Sequence, residues 1–114
     1  MNLPVSNLTL SKVFYDTVLA SLGYTCIAED GPACGYGTHS WKFGIELFDC
    51  SFPKLHVAFT ASSEKQVDDF FSSALAAKAS SNGNPGKRPQ YGLNYYAAFI
   101  KDPDGHNIEA VFRG

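Results

Sequence analysis

The chain has few positive charges and no concentration of them. Its 114 residues carry nine Lys and Arg against eleven Asp and Glu, a formal net charge of −2. The basic residues are scattered, so no patch is set to hold a phosphate backbone or an anionic membrane surface, and no nucleic-acid or membrane partner is expected. Long apolar runs are also missing. No stretch approaches the twenty or so residues of a membrane-spanning helix, and no charged start followed by an apolar core marks a secretory leader. Cysteine is scarce: Cys26, Cys34 and Cys50 form an odd set without the spacing of a metal motif. Free buried thiols in a cytoplasmic protein are the expectation, with a Cys26–Cys34 bridge the weaker alternative. No low-complexity linker divides the chain, so a single domain over residues 1–114 is expected. Hydrophobic residues make up 45% and aromatics 14%, enough to fill one real core at this length.

An internal repeat is present. Residues 57–79 lie over residues 1–23 at a constant offset without a gap. Phe70-Phe71 falls on Phe14-Tyr15, Leu75-Ala76 on Leu19-Ala20, and Ser62 on Ser6. Repeats decide architecture before local signals do, and this one predicts two copies of a strand–helix unit. At the same offset His56 falls on a position ahead of Met1, where this sequence has no residue.

Local patterns extend the unit. Residues 1–5 are short, apolar and extended. Asn7 suits an N-cap, and Leu8 to Leu22 carries Phe14, Val18 and Leu22 at helical spacing before Gly23. Tyr24–Glu29, Cys34–Thr38 and Lys42–Phe48 read as strands separated by turn residues. The second copy opens with a strand at His56–Ala61. Ser63 with Gln66 forms a capping box, and Val67, Phe70, Phe71, Ala74 and Leu75 make one apolar stripe. Ser80 to Gly92 is rich in Gly, Pro and Asn and reads mostly as loop. Tyr95–Lys101 and His106–Phe112 read as strands around the turn Asp102-Pro103-Asp104-Gly105. The order is β-α-β-β-β twice, an α+β fold of two βαβββ modules, about 1–50 and about 54–114, forming a curved mixed sheet.

Three polar residues interrupt apolar strands: Glu46, His56 and Glu109. A carboxylate in such a strand faces water or is compensated, because burying it alone is costly. Glu46 and Glu109 share an Ile-Glu-apolar frame in corresponding last strands. Two-fold repetition would gather them with His56 around one cleft. Such nitrogen and oxygen donors suit Zn, Ni, Mn or Fe(II). A metal held there would polarise a carbonyl or an enediolate while a carboxylate, Glu109 or Glu46, shuttles the proton.

The segment Ser11-Lys-Val-Phe-Tyr-Asp-Thr-Val-Leu-Ala-Ser-Leu-Gly23 resembles the S-x-x-F-Y-x-x-x-L-x-x-L-G motif of the vicinal oxygen chelate superfamily. That group includes glyoxalase I, extradiol dioxygenases, fosfomycin-resistance enzymes and bleomycin-resistance proteins. His56-Val-Ala-Phe59 resembles its second-module strand, and Asp102-Pro-Asp-Gly-His-Asn-Ile-Glu109 resembles its closing D-P-D-G-x-x-I-E. Residues 82–91 with Tyr95-Tyr-Ala-Ala-Phe99 resemble a glyoxalase-like branch. The resemblance implies paired βαβββ modules, often as a homodimer, and metal-ligand positions at His56 and Glu109 with Glu46 on or near a third. The fourth is normally a His just ahead of the first strand, which the repeat sets before Met1. A truncated N-terminus, a three-ligand metal and a metal-free protein all accord with that. Glyoxalase-like lyase or isomerase chemistry on a small oxygenated substrate follows, as does the alternative of metal-free sequestration of a small, partly aromatic compound.

Each residue also has a plainer reading. His56 reads equally as a ligand and as a histidine closing one wall of the cleft. Glu46 reads as solvent-facing as readily as metal-binding. His39 and His106 lie at turns and are expected in solvent. Phe14, Tyr15, Phe70 and Phe71 read as helix-to-sheet packing. Arg88, Tyr91, Tyr95 and Tyr96 are the candidates for substrate contact, since loops and strand mouths carry recognition. Only one of Tyr95 and Tyr96 is expected to face the cleft, because successive strand residues point opposite ways.

Overall fold

A computed structural model describes residues 2–38 and 40–114, so the expectation for His39 falls outside the described residues. The elements run β1 (Asn2–Val5), α1 (Leu8–Ala20), β2 (Thr25–Asp30), β3 (Ala33–Gly37), β4 (Trp41–Leu47), β5 (His56–Thr60), α2 (Glu64–Ala76), β6 (Ser80–Lys87), β7 (Tyr95–Lys101) and β8 (Asn107–Arg113). The β-α-β-β-β order therefore occurs twice. The first module forms a sheet of order β1-β4-β3-β2 and the second one of order β5-β8-β7-β6. In each, the first strand runs parallel to the last and the other pairings are antiparallel.

Both helices start and end by the same devices. The Asn7 side chain accepts from the Leu10 N–H at 3.0 Å, and the Ser63 hydroxyl accepts from the Gln66 N–H at 3.0 Å. The Gln66 carbonyl reaches back to the N–H of Ser62, one residue earlier than a capping box requires. At the other end, the Tyr24 N–H reaches the Leu19 carbonyl and the Ala79 N–H the Ala74 carbonyl. This six-to-one closure turns the chain through a left-handed residue. Gly23 fills that place after α1, at φ +85°, and Lys78 fills it after α2, at φ +71°. The apolar positions read for α1, Phe14, Val18 and Leu22, are buried, as are Tyr15 and Leu19 beside them. That of α2 is narrower than the sequence predicts. Val67, Phe70 and Ala74 are buried, Phe71 is half-buried and Leu75 is exposed.

The sequence misses one strand. Ser80–Lys87, read as loop, is β6 at the outer edge of the second sheet. An edge strand needs only one neighbour, so it tolerates Pro85 and two register shifts against β7. Gly83 is required at its close approach to β7: a Cβ there would stand 2.9 Å from the Phe99 ring.

The two modules share one core. Phe43 of β4 meets Phe59 of β5 edge to face at 5.0 Å, and α1 packs on α2. Polar contacts join them as well. The Tyr15 hydroxyl donates to the buried Asp102 carboxylate at 2.5 Å, and the Ser6 hydroxyl donates to Asp104 at 2.5 Å. Asp102 also accepts from the N–H groups of Asp104 and His106. Burial pushes the Asp102 carboxyl above its ordinary range, against the pull of these donors. His106, expected in solvent, is fully buried. Its Nδ1 accepts from the Leu55 N–H at 2.9 Å, so its Nε2–H donates to the Pro4 carbonyl at 2.7 Å. The Asp102–Gly105 turn folds it inward, where it stacks on Phe52 and ties the second module to β1.

Candidate functional site

Each sheet turns one face to its helix and leaves the other free, and strand alternation sorts the side chains. In the second sheet Val57, Phe59, Ile100, Ile108 and Ala110 belong to the core under α2. His56, Glu109, Tyr95 and Phe99 occupy the alternate positions and so share the opposite face. His56 stands opposite Asn107, and Ala58 stands opposite Glu109. The imidazole therefore leans one step along the strand, past the small Ala58, to reach the carboxylate. Its Nε2 lies 2.9 Å from Glu109 Oε1. The Tyr95 hydroxyl donates to the other oxygen, Oε2. Glu109 is only 2% exposed, and both of its oxygens are engaged. His56 keeps about half of its side chain open to solvent. Burial, and then the bond to Glu109, push the Tyr95 phenol up to about 12.

Aromatic and basic groups ring this pair. Phe99 lies 6.2 Å from the His56 ring. The Arg88 guanidinium sits 5.5 Å over Phe99, held there by bonds to the carbonyls of Gly86 and Asn84. Tyr91 packs edge-on against Tyr95 at 5.2 Å, and the Arg113 guanidinium lies 5.4 Å over that ring. Tyr96 is not part of this face. It points to the helix side, where its hydroxyl donates to Asp68 of α2 at 2.6 Å. Of the four substrate-contact candidates, Tyr95 is at the pair, Arg88 and Tyr91 stand one ring further out, and Tyr96 is excluded.

Glu46 stands apart. Its only side-chain partner among the described residues is Asn2, whose amide donates to Oε1 at 2.9 Å. It lines a cavity of about 290 Å³ with Asn2, Ala28, Asp30 and Ala33, and no residue of the second sheet contributes. The chain thus does not bring Glu46 into one cavity with His56 and Glu109.

The strand registers explain this and correct the repeat. Ile45-Glu46 of β4 corresponds to Ile108-Glu109 of β8. In β4 the position before the isoleucine, Gly44, pairs with Asn2, and in β8 the matching Asn107 pairs with His56. Asn2 is therefore the counterpart of His56, at an offset of 54. The offset of 56 read from the sequence holds for the helices and their caps, Asn7 and Ser63. Two extra residues between His56 and the start of α2, one in the strand and one in the connection, account for the difference. The position expected ahead of Met1 is inside the chain and is filled by Asn2.

The two pairs are alike in geometry as well as in position. Asn2 to Glu46 and His56 to Glu109 are both 2.9 Å side-chain bonds between the first and last strands of a module. Asn2 Oδ1 is buried and accepts no hydrogen bond from any of the described residues. An orphaned buried carbonyl costs free energy unless something pairs with it, and a hard cation does so. The donors present (an imidazole nitrogen, two carboxylates and an amide oxygen) suit a divalent metal. His56 and Glu109 could hold one through Nε2 and Oε1, and Asn2 and Glu46 could supply two more oxygens. The sequence reading misses Asn2 because one offset is applied to strands and helices together. Aligning the two Ile-Glu frames and counting across the parallel strand would have found it.

A paired βαβββ architecture with a His/Glu pair and its Asn/Glu counterpart, one on each sheet, defines the class of protein. No family profile matches the chain. Over 99 residues it is 30% identical to lactoylglutathione lyase of Haemophilus influenzae, a match covering 85% of this chain and 65% of that enzyme's length. The glyoxalase/bleomycin resistance protein of Albidiferax ferrireducens superposes with a TM-score of 0.86 at 29% identity, covering 99% of this chain and 96% of that one. A family enzyme of Burkholderia phytofirmans described as glyoxalase/bleomycin resistance protein/dioxygenase shares the fold, with a TM-score of 0.77 at 19% identity over 100% and 96% of the two chains. In sequence and in fold the chain is similar to the glyoxalase/bleomycin-resistance/dioxygenase group of the vicinal oxygen chelate superfamily.

Proposed function

We propose that the chain is a glyoxalase-like protein that carries out metal-assisted lyase or isomerase chemistry on a small oxygenated substrate. The observation that carries this reading is the matched pair of 2.9 Å contacts, His56 to Glu109 and Asn2 to Glu46, at equivalent strand positions. A divalent metal bound by these donors supplies electrophilic polarisation of a substrate oxygen. The side chains divide the rest of the work. Glu109, buried and held by Tyr95, is the anchored donor. Glu46 has one partner and partial exposure, so it is free to turn and take a proton from substrate carbon. Phe99, Tyr91 and Tyr95 exclude water from one wall, and Arg88 places positive charge beside it.

The two pairs lie on separate sheets, and the Glu46 cavity takes nothing from the second sheet. A homodimer that sets the first sheet of one copy against the second sheet of the other completes the set and gives two sites per dimer. Among the described residues no helix is long and apolar enough to cross a membrane.

A second reading rests on Asn2, a weaker donor than histidine. A site so weakened, lined by Tyr91, Tyr95 and Phe99, suits metal-free sequestration of a small aromatic compound. Metal analysis of the purified protein separates the two. Stoichiometric divalent metal that is lost in His56→Ala and Glu109→Ala variants supports the enzyme. A metal-free protein whose ligand binding survives both substitutions supports the binding module.

A further inference from the structure

The face of the first sheet turned toward α1 holds a cluster outside the site above. Cys26 and Glu29 stand on the edge strand β2, and Cys34 on β3. Glu29 is paired with Cys34 across the hairpin. Cys26 is paired with Tyr36, one alternate position along, and the register shifts between Cys26 and Ala28. One donor atom from each of Cys26, Glu29 and Cys34 lies within 4.8 Å of the others. Cys34 is buried at 3% exposure, Cys26 is half-buried, and Glu29 is open to solvent. Lys12 of α1 stands over the cluster, 3.8 Å from Glu29 and 2.8 Å from Asp16. A cavity of about 390 Å³ lined by Lys12, Asp16, Glu29 and Cys34 gives entry from solvent.

We propose that Cys26, Cys34 and Glu29 form a binding site for a thiophilic divalent cation of the Zn²⁺ type, separate from the His56/Glu109 face. Two sulfurs and one oxygen are a donor set that selects such an ion over Mg²⁺ or Ca²⁺. Tetrahedral zinc bonds of about 2.3 Å to sulfur and about 2.0 Å to oxygen bring the donors about 3.5–3.8 Å apart, a movement of about 1 Å or less for each side chain. The fourth position faces the cavity and takes water. Two thiolates and a carboxylate against the dication leave one negative charge, and the Lys12 ammonium, shared with Asp16, lies beside it. Each ion bound displaces two thiol protons into solvent. Affinity therefore rises by about a hundredfold per pH unit while both thiols remain protonated in the free protein.

Cobalt(II) tests the proposal, because a sulfur ligand gives an intense near-ultraviolet charge-transfer band that nitrogen and oxygen ligands do not. The full chain, kept reduced with a non-thiol reductant, is titrated with Co²⁺ and then with competing Zn²⁺. One equivalent of Co²⁺ is expected to raise the band and one equivalent of Zn²⁺ to abolish it. Cys26→Ser, a half-exposed and mild change, cuts the band to half or less and weakens the binding, Glu29→Gln weakens the binding, and Cys50→Ser keeps both. Removing the other donor pair with His56→Ala leaves the band in place, which separates this site from the proposed catalytic one. No band in the wild-type chain, or a band in Cys26→Ser with undiminished intensity and affinity, overturns the proposal.

Discussion

At the scale of single residues, Glu109 depends on two neighbours. A carboxylate at 2% exposure is tolerable because Tyr95 and His56 each satisfy one oxygen. Tyr95→Phe leaves Oε2 without its donor, and is expected to destabilise the fold by about 1–3 kcal/mol in denaturant titrations. The tyrosines also set a pH limit. Burial first, and for Tyr95 its bond to Glu109 next, raise the phenols of Tyr15, Tyr36 and Tyr95, while Tyr96 is raised first by its bond to Asp68. A phenol that ionises later in the folded than in the unfolded chain favours the fold while both states hold the proton. That contribution is full below pH 10 and falls as pH rises toward the folded value, about 12 for Tyr95. Thermal midpoints measured from pH 9 to pH 12 are expected to be level at first and then to drop steeply. Tyr95→Phe is expected to remove one late phenolate from the absorbance titration.

At the scale of elements, the two helices offer an internal control. Both close on a left-handed residue, which is glycine after α1 and lysine after α2. A side chain in that conformation costs about 1 kcal/mol that glycine avoids. Lys78→Gly is expected to stabilise the protein by about that amount, read as a higher denaturant midpoint with an unchanged slope. The converse, Gly23→Lys, is expected to cost about as much. Elements with a strong period or cap were legible in the chain: α1, α2, β5 and β7 begin where Asn7, Ser63, His56 and Tyr95 indicate. β6 was not, because its Gly, Pro and Asn residues carry a loop signal. Its strand state comes from pairing with β7, a contact that no local pattern encodes.

At the scale of the molecule, the paired modules were legible from the repeat, and the way they join was not. Cys50 lies exposed in the connection between the sheets, where the sequence suggested a buried thiol. His106 looks like a turn residue by position, yet it is a buried tie between β8 and Pro4 of the first module. His106→Ala removes both ring hydrogen bonds and opens a cavity beside Phe52. It is expected to cost about 3 kcal/mol and to lower the thermal midpoint without altering α1 or α2 in far-ultraviolet circular dichroism. The candidate site was half legible. His56 and Glu109 stood out as polar breaks in apolar strands, and the structure joins them. Asn2 did not stand out, because a two-residue difference between the modules hid its equivalence to His56.

That equivalence is the claim on which the functional account rests, and metal affinity tests it directly. Calorimetric titration with Mn²⁺ and Ni²⁺ compares the wild-type chain with Asn2→His and His56→Ala. If residues 2 and 56 are corresponding donors to one kind of site, Asn2→His tightens binding by roughly tenfold or more and His56→Ala abolishes it. Affinities that are the same in all three proteins contradict the account.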